Sequence, residues 1–175
     1  SDSTTTPMDQ TTPHTSQPAT AATILVVDDD PLLVNLCRTL LKSQGFTILE
    51  AEGSSEALKI CAKHEGRIDV LLTDLVLSPP GFQLASSSNE FPHVHGHELA
   101  MRIAASRKDL RVLLMSANPD KELASHGIKR GTLPFLQKPF ERADLIQQIH
   151  DVLQNPPPML NLNQGKAASD VDWFG

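Results

Sequence analysis

Between residues 23 and 154, short apolar runs alternate with stretches of helical periodicity. ILVV (24–27) is an unbroken run of β-branched and aliphatic residues that stops in Asp28, Asp29, Asp30 and Pro31. A run of that length with turn residues behind it predicts a strand buried on both faces, as in a parallel sheet. Leu32, Leu33, Leu36, Leu40 and Leu41 then recur at helical spacing, and Gly45 stands where a C-terminal glycine cap belongs. FTILEA (46–51) predicts a second strand. GSSEALKICAKHEG (53–66) predicts a helix capped by Ser54 or Ser55, and IDVLLTD (68–74) a third strand ending in an aspartate.

Residues 75–96, LVLSPPGFQLASSSNEFPHVHG, break the pattern, being too polar and too interrupted by Pro and Gly for a core element. They predict a long loop, and loops of that length inside domains are usually functional or mobile. Regularity returns with a helix over 97–106 and a fourth strand, RVLLMSA (111–117). A polar helix over about 119–129, a fifth strand TLPFLQ (132–137) and an amphipathic helix over 141–154 complete the series. Strand and helix in strict alternation predict a doubly wound α/β domain around a parallel five-stranded sheet.

Residues 1–22 are rich in Thr, Ser, Pro and Gln, with little to bury, and are expected to be a disordered tail or linker. They lack the charged start and apolar segment of a secretory signal, and the first residue is Ser1, as in a chain trimmed or cut from something longer. Residues 155–175 are again loop-like and read as a flexible tail, although Trp173 and Phe174 have the character of a docking motif. At 175 residues the chain has room for one ordinary domain. No apolar run approaches the length of a membrane span. The net charge of −6 gives no electrostatic footprint for nucleic acid. Cys37 and Cys61 fall on apolar helical faces, where a thiol behaves as a small hydrophobe, so a reducing compartment is expected.

The strand ends concentrate the chemistry. In an open α/β sheet, ligands bind beyond the carboxyl ends of the strands, where the strand order reverses. With the order 2-1-3-4-5, Asp28 and Asp29 at the end of strand 1 would neighbour Asp74 at the end of strand 3. Ser116 after strand 4 and Lys138 after strand 5 would complete the rim. Crowded carboxylates repel unless a cation or protons intervene, and a hard divalent ion such as Mg2+ suits oxygen ligands. Asp30 directly precedes Pro31 and reads as an N-cap. Three carboxylates, a hydroxyl and an ammonium suit phosphoryl transfer, which needs mainly positioning and charge neutralisation.

VVDD, LLTD, the SA after strand 4 and the KPF after strand 5, in this order and spacing, resemble the receiver domain of two-component response regulators over residues 23–154. The resemblance implies a flavodoxin-like (βα)5 fold, cytoplasmic and either stand-alone or part of a hybrid histidine kinase. It implies that Asp74 accepts a phosphoryl group from a histidine kinase or histidine phosphotransfer protein. Asp28, Asp29 and Asp74, helped by the backbone carbonyl of Val76, would hold Mg2+. Ser116 would bond the phosphoryl oxygens, Lys138 would pair with them, and Phe135 falls at the switch aromatic. The peptide bond before Pro139 would be cis. Such a domain catalyses only its own phosphorylation and dephosphorylation. It would signal to a downstream protein or relay its phosphate, and would touch neither nucleic acid nor membrane directly. The face of helix 4, strand 5 and helix 5 would be open to a partner or to a second copy in a homodimer.

Two features depart from the family pattern. Asp74 to Gly96 spans 22 positions, where the family uses an ordinary loop, so residues 78–95 read as an insertion. Ser78 also stands where a proline is common, with Pro79 next. The insertion carries His93, which with His95 and His97 forms H-x-H-x-H; a solvated loop is preferred there to a metal site, for which Glu90 or Glu98 would be the fourth ligand. Two other functions use the same residues. In a haloacid-dehalogenase-type phosphatase Asp28 would be the nucleophile and Asp30 the acid/base, leaving Asp74 unexplained. A receiver-like binding module that takes no phosphate would not need all five site residues.

Overall fold

The structure, a computed structural model, describes residues 21–78, 91–129, 131 and 133–158. The first twenty residues, the middle of the insertion including Glu90, Arg130, Thr132 and the tail from 159 onward lie outside the described residues.

The apolar runs form five parallel strands, β1 (Thr23–Val27), β2 (Thr47–Ala51), β3 (Val70–Asp74), β4 (Arg111–Ser116) and β5 (Phe135–Gln137), in the order β2-β1-β3-β4-β5. The intervening segments form α1 (Pro31–Ser43), α2 (Ser54–Lys63), α3 (Gly96–Ser106), α4 (Pro119–Ser125) and α5 (Arg142–Gln154). Because side chains alternate along a strand, each run serves two cores. Ile24, Val26, Val70, Leu72, Leu113 and Met115 pack with Val34, Cys37 and Leu41 of α1 and Leu145, Ile149 and Val152 of α5. Leu25, Val27, Leu71, Val112 and Leu114 pack on the opposite face with residues of α2, α3 and α4. Burial on both faces explains why the strands read as continuous apolar runs.

The leucine stripe expected of α1 is only partly the buried one. The sheet takes Val34, Cys37 and Leu41, with Leu33 and Leu40 at the margins, and leaves Leu32 79% and Leu36 45% exposed. Asp30 caps this helix as expected, its Oδ1 accepting from Leu32 N at 3.0 Å with Pro31 in the first turn. Gly45 follows the helix at φ 92°, a left-handed conformation that glycine adopts without steric cost. The serine cap expected for α2 is absent. Gly53 occupies the N-cap, and the buried Ser54 hydroxyl instead accepts from Val94 N at 2.8 Å. β5 is shorter than its apolar run because Pro134 has no N–H to donate; its carbonyl only accepts, from Leu114 N at 3.1 Å. α4 ends at Ser125, before the expected 129, as Ile128 N returns to the Leu123 carbonyl at 2.9 Å. Cys37 and Cys61 are both free thiols, and burial pushes them up to about 12 and about 11 respectively.

Candidate functional site

The register of the sheet assembles the site. Val27 pairs with Thr73, and Asp74 with Met115, so the ends of β1, β3 and β4 lie side by side. Asp28, one residue beyond β1, is held by its own N–H to the Ala51 carbonyl at 3.2 Å, and its Oδ1 accepts from Asp30 N at 2.9 Å. The Lys138 N–H bonds the Ser116 carbonyl at 2.8 Å, which extends the β4–β5 ladder by one residue and carries the lysine to the crevice. The Lys138–Pro139 peptide is cis.

Lys138 Nζ donates to Asp28 Oδ2 at 2.6 Å and to Asp74 Oδ2 at 3.0 Å. Carboxylate oxygens of Asp28, Asp29 and Asp74 all lie within 4.8 Å of one another. One ammonium against three carboxylates leaves excess negative charge in a partly desolvated crevice. Burial pushes Asp74 up to about 6, with Lys138 opposing the shift and Asp28 adding to it. Burial also raises Asp28, again against the pull of Lys138. Asp29 faces solvent and goes the other way: burial works against its charge but is outweighed by hydrogen bonding, first with Ser78. For Lys138, burial disfavours the ammonium, yet the bonds to Asp28 and Asp74 raise it above its ordinary value. A hard-oxygen set with uncompensated charge fits Mg2+ and offers nothing to a soft metal.

The remaining expected residues lie near this cluster with different partners. Val76 N donates to Asp74 Oδ1 at 3.3 Å. Ser116 is buried, and its hydroxyl donates to the Glu122 carboxylate. Phe135 is half-buried and packs against the core on the α2 and α3 side of the sheet. Asp30 is taken up by its cap, which removes the acid/base that the phosphatase reading needs.

The base of the insertion is tied down by bonds that periodicity does not reveal. Gly96 N bonds the Leu75 carbonyl at 2.9 Å, Leu77 N donates to His95 Nδ1 at 3.0 Å, and Val94 N donates to Ser54 Oγ. His93 contacts His95 edge-on at 5.5 Å, and His95 contacts His126, from the end of α4, at 5.0 Å. Burial, and then His126, lower His97. His93 and His95 thus make ring and hydrogen-bond contacts at the base of the insertion, while His95 stays exposed. Among the described residues, the acidic trio is the one set of three or more such ligands whose atoms converge. Glu122 and His126 were missed in the sequence. The available signal for Glu122 was an acidic residue in the first turn of α4, which any helix dipole favours.

A family model described as "Response regulator receiver domain" matches residues 24–150. The DNA-binding transcriptional regulator NtrC of Azospirillum brasilense is 29% identical over 157 residues, covering 89% of this chain but 29% of its own length. The chain thus spans under a third of that relative. A solved response regulator receiver domain protein from Clostridium thermocellum matches with a TM-score of 0.59 and 26% identity over 76% of this chain and 94% of that one. A response regulator receiver protein from Sinorhizobium medicae shares the fold with a TM-score of 0.61 and 23% identity, over 77% of this chain and 96% of its own.

Proposed function

The chain belongs to the response regulator receiver domain family, a signalling module and not a classical enzyme, and we propose that Asp74 is its phosphoacceptor. The observation that carries this reading is the convergence of the Asp28, Asp29 and Asp74 carboxylates, with Asp28 and Asp74 both paired to the Lys138 ammonium. Of the two carboxylates that Lys138 contacts, Asp74 is the more accessible, its side chain being 13% exposed and that of Asp28 1%. Asp74 meets the donor, while Asp28 and Asp29 with Asp74 and the Val76 carbonyl would hold Mg2+. The ion would supply positive charge to balance that of the transferring phosphoryl group. Deprotonated Asp74 attacks phosphorus as the bond from phosphorus to the donor breaks, releasing the histidine nitrogen of a protein donor or the acetate of acetyl phosphate, and Lys138 pairs with the phosphoryl oxygens. Ser116 turns from Glu122 to donate to a phosphoryl oxygen, and Phe135 follows as the α4, β5 and α5 surface changes.

The donor is a histidine kinase or histidine phosphotransfer protein. The output is a downstream protein contact, with or without a second copy on the α4, β5 and α5 face, or onward phosphate relay. The functional unit is residues 23–154 in the cytoplasm, with flanking tails and the 78–95 insertion as accessories. The test is incubation with acetyl phosphate. One phosphoryl group should be added, and it should be lost in Asp74→Asn and on chelation of Mg2+. Modification that survives in Asp74→Asn and disappears in Asp28→Asn would overturn the assignment.

A further inference from the structure

We propose that Glu122 is a positioning residue that holds the Ser116 hydroxyl toward α4 and thereby opposes occupancy of the phosphorylated state. The inference rests on the reading of Asp74 as phosphoacceptor. Ser116 is 1% exposed, at the end of β4, and its Oγ donates to Glu122 Oε2. A serine hydroxyl has one proton to donate. It cannot serve the Glu122 carboxylate and a phosphoryl oxygen on Asp74 at the same time.

The competitor is well placed. Glu122 is half-buried in the first turn of α4, and its own N–H is fixed to the Asn118 carbonyl at 2.9 Å. Its side chain is anchored by a helix that Pro119 starts on the crevice side of the domain. Hydrogen bonds to a charged acceptor are among the stronger ones, so the contact sets a threshold that the phosphoryl group must overcome. A phosphoryl group on Asp74 acts twice on this pair. It offers Ser116 a more highly charged acceptor, and it repels the Glu122 carboxylate that Ser116 leaves. Both effects push α4 the same way, which links the chemistry to the surface built from α4.

The experiment measures the fraction of full-length protein phosphorylated by a sub-saturating concentration of acetyl phosphate with Mg2+. Glu122→Ala should raise the steady-state ratio of phosphorylated to unphosphorylated protein about tenfold, the equivalent of one hydrogen bond to a charged group. Glu122→Gln keeps an acceptor oxygen without the charge and should fall between the two. In a Ser116→Ala background the Glu122→Ala change should have no further effect, because the residue acts through that hydroxyl. An equal gain with and without Ser116 overturns the proposal, as does no gain at all. A second readout is independent of phosphate uptake. The Ser116 amide resonance of the unphosphorylated protein should move in Glu122→Ala, and less in Glu122→Gln. Identical Ser116 spectra in all three proteins overturn the proposal even if no phosphate is taken up. Absence of phosphate in the wild type, with the Ser116 shifts present, would instead count against the phosphoacceptor reading.

Discussion

A Cβ placed on Gly96 would lie 2.2 Å from the backbone carbonyl oxygen of Asp74 and 3.1 Å from the Leu75 Cα. α3 therefore starts directly against the peptide that carries the candidate acceptor, and only a residue without a side chain permits that approach. The neighbours that would have to yield are backbone of a central strand, so the strain has no inexpensive outlet. Gly96→Ala is expected to destabilise the protein by about 3 kcal/mol, at the upper end for overpacking, and to lower phosphate uptake even where the protein remains folded. Urea unfolding and the acetyl phosphate assay measure the two effects. Wild-type stability in the variant would show that α3 can withdraw freely.

Removal of the ammonium tests the other support of the site. In Lys138→Met, Asp28 and Asp74 keep their burial and lose the cation that both contact. Breaking a buried pair from one side costs about 3–5 kcal/mol, because the remaining charge is stranded. The cost should be smaller at pH 5 than at pH 7, since carboxylates can take up protons in place of the lysine. Mg2+ should restore part of the lost stability at pH 7. Unfolding curves at both pH values, with and without the ion, decide this; a pH-independent cost would mean that the pair is not electrostatically coupled.

The raised Asp74 pKa predicts a pH dependence of its own. A carboxylic acid shifted from 3.8 to about 6 holds its proton more tightly in the folded chain than in the unfolded one. Its contribution to metal-free stability is therefore present at low pH and is lost as pH rises from about 4 to about 6, by about 3 kcal/mol at most. Asp74→Asn should be more stable than wild type at pH 7 and equal to it near pH 4. Comparing the two proteins in chelator cancels the titration of groups that do not interact with Asp74, leaving Asp74 and its partners Lys138 and Asp28. A constant difference across this range would refute the shift.

These relationships differ in how far the sequence discloses them. Asp28, Asp74, Ser116 and Lys138 were legible because each ends or follows an apolar run, and a parallel sheet gathers the carboxyl ends of its strands at one edge. The buried face of α1 was less legible. Five leucines cover too much of the helix circumference for spacing to choose among them, and packing against the sheet selects Val34, Cys37 and Leu41. Ser54 had the right residue type for a cap, but a segment 40 residues away claims its hydroxyl. The Ser116–Glu122 contact was hidden for a similar reason. A turn and a short helix bring the two side chains together, and neither residue type announces the other.

The exposed face of α1 supplies the last prediction. Leu32 and Leu36 are the exposed large hydrophobic residues among those described, and one helical turn places both on the same side. Leu32 lies in the first turn, immediately beyond the Asp30 cap and close to the acidic crevice. A protein that delivers phosphate from histidine to Asp74 must cover this end of the sheet, whereas acetyl phosphate needs only the crevice. Leu32→Ala removes little that is buried, so stability should change by no more than about 0.5 kcal/mol. Phosphorylation by acetyl phosphate should be unchanged. Transfer from a phosphohistidine donor protein should slow about tenfold, the effect of losing an apolar anchor at an interface. Equal slowing with both donors would place the role of Leu32 in the crevice itself. Unchanged transfer from both would move the docking surface away from α1.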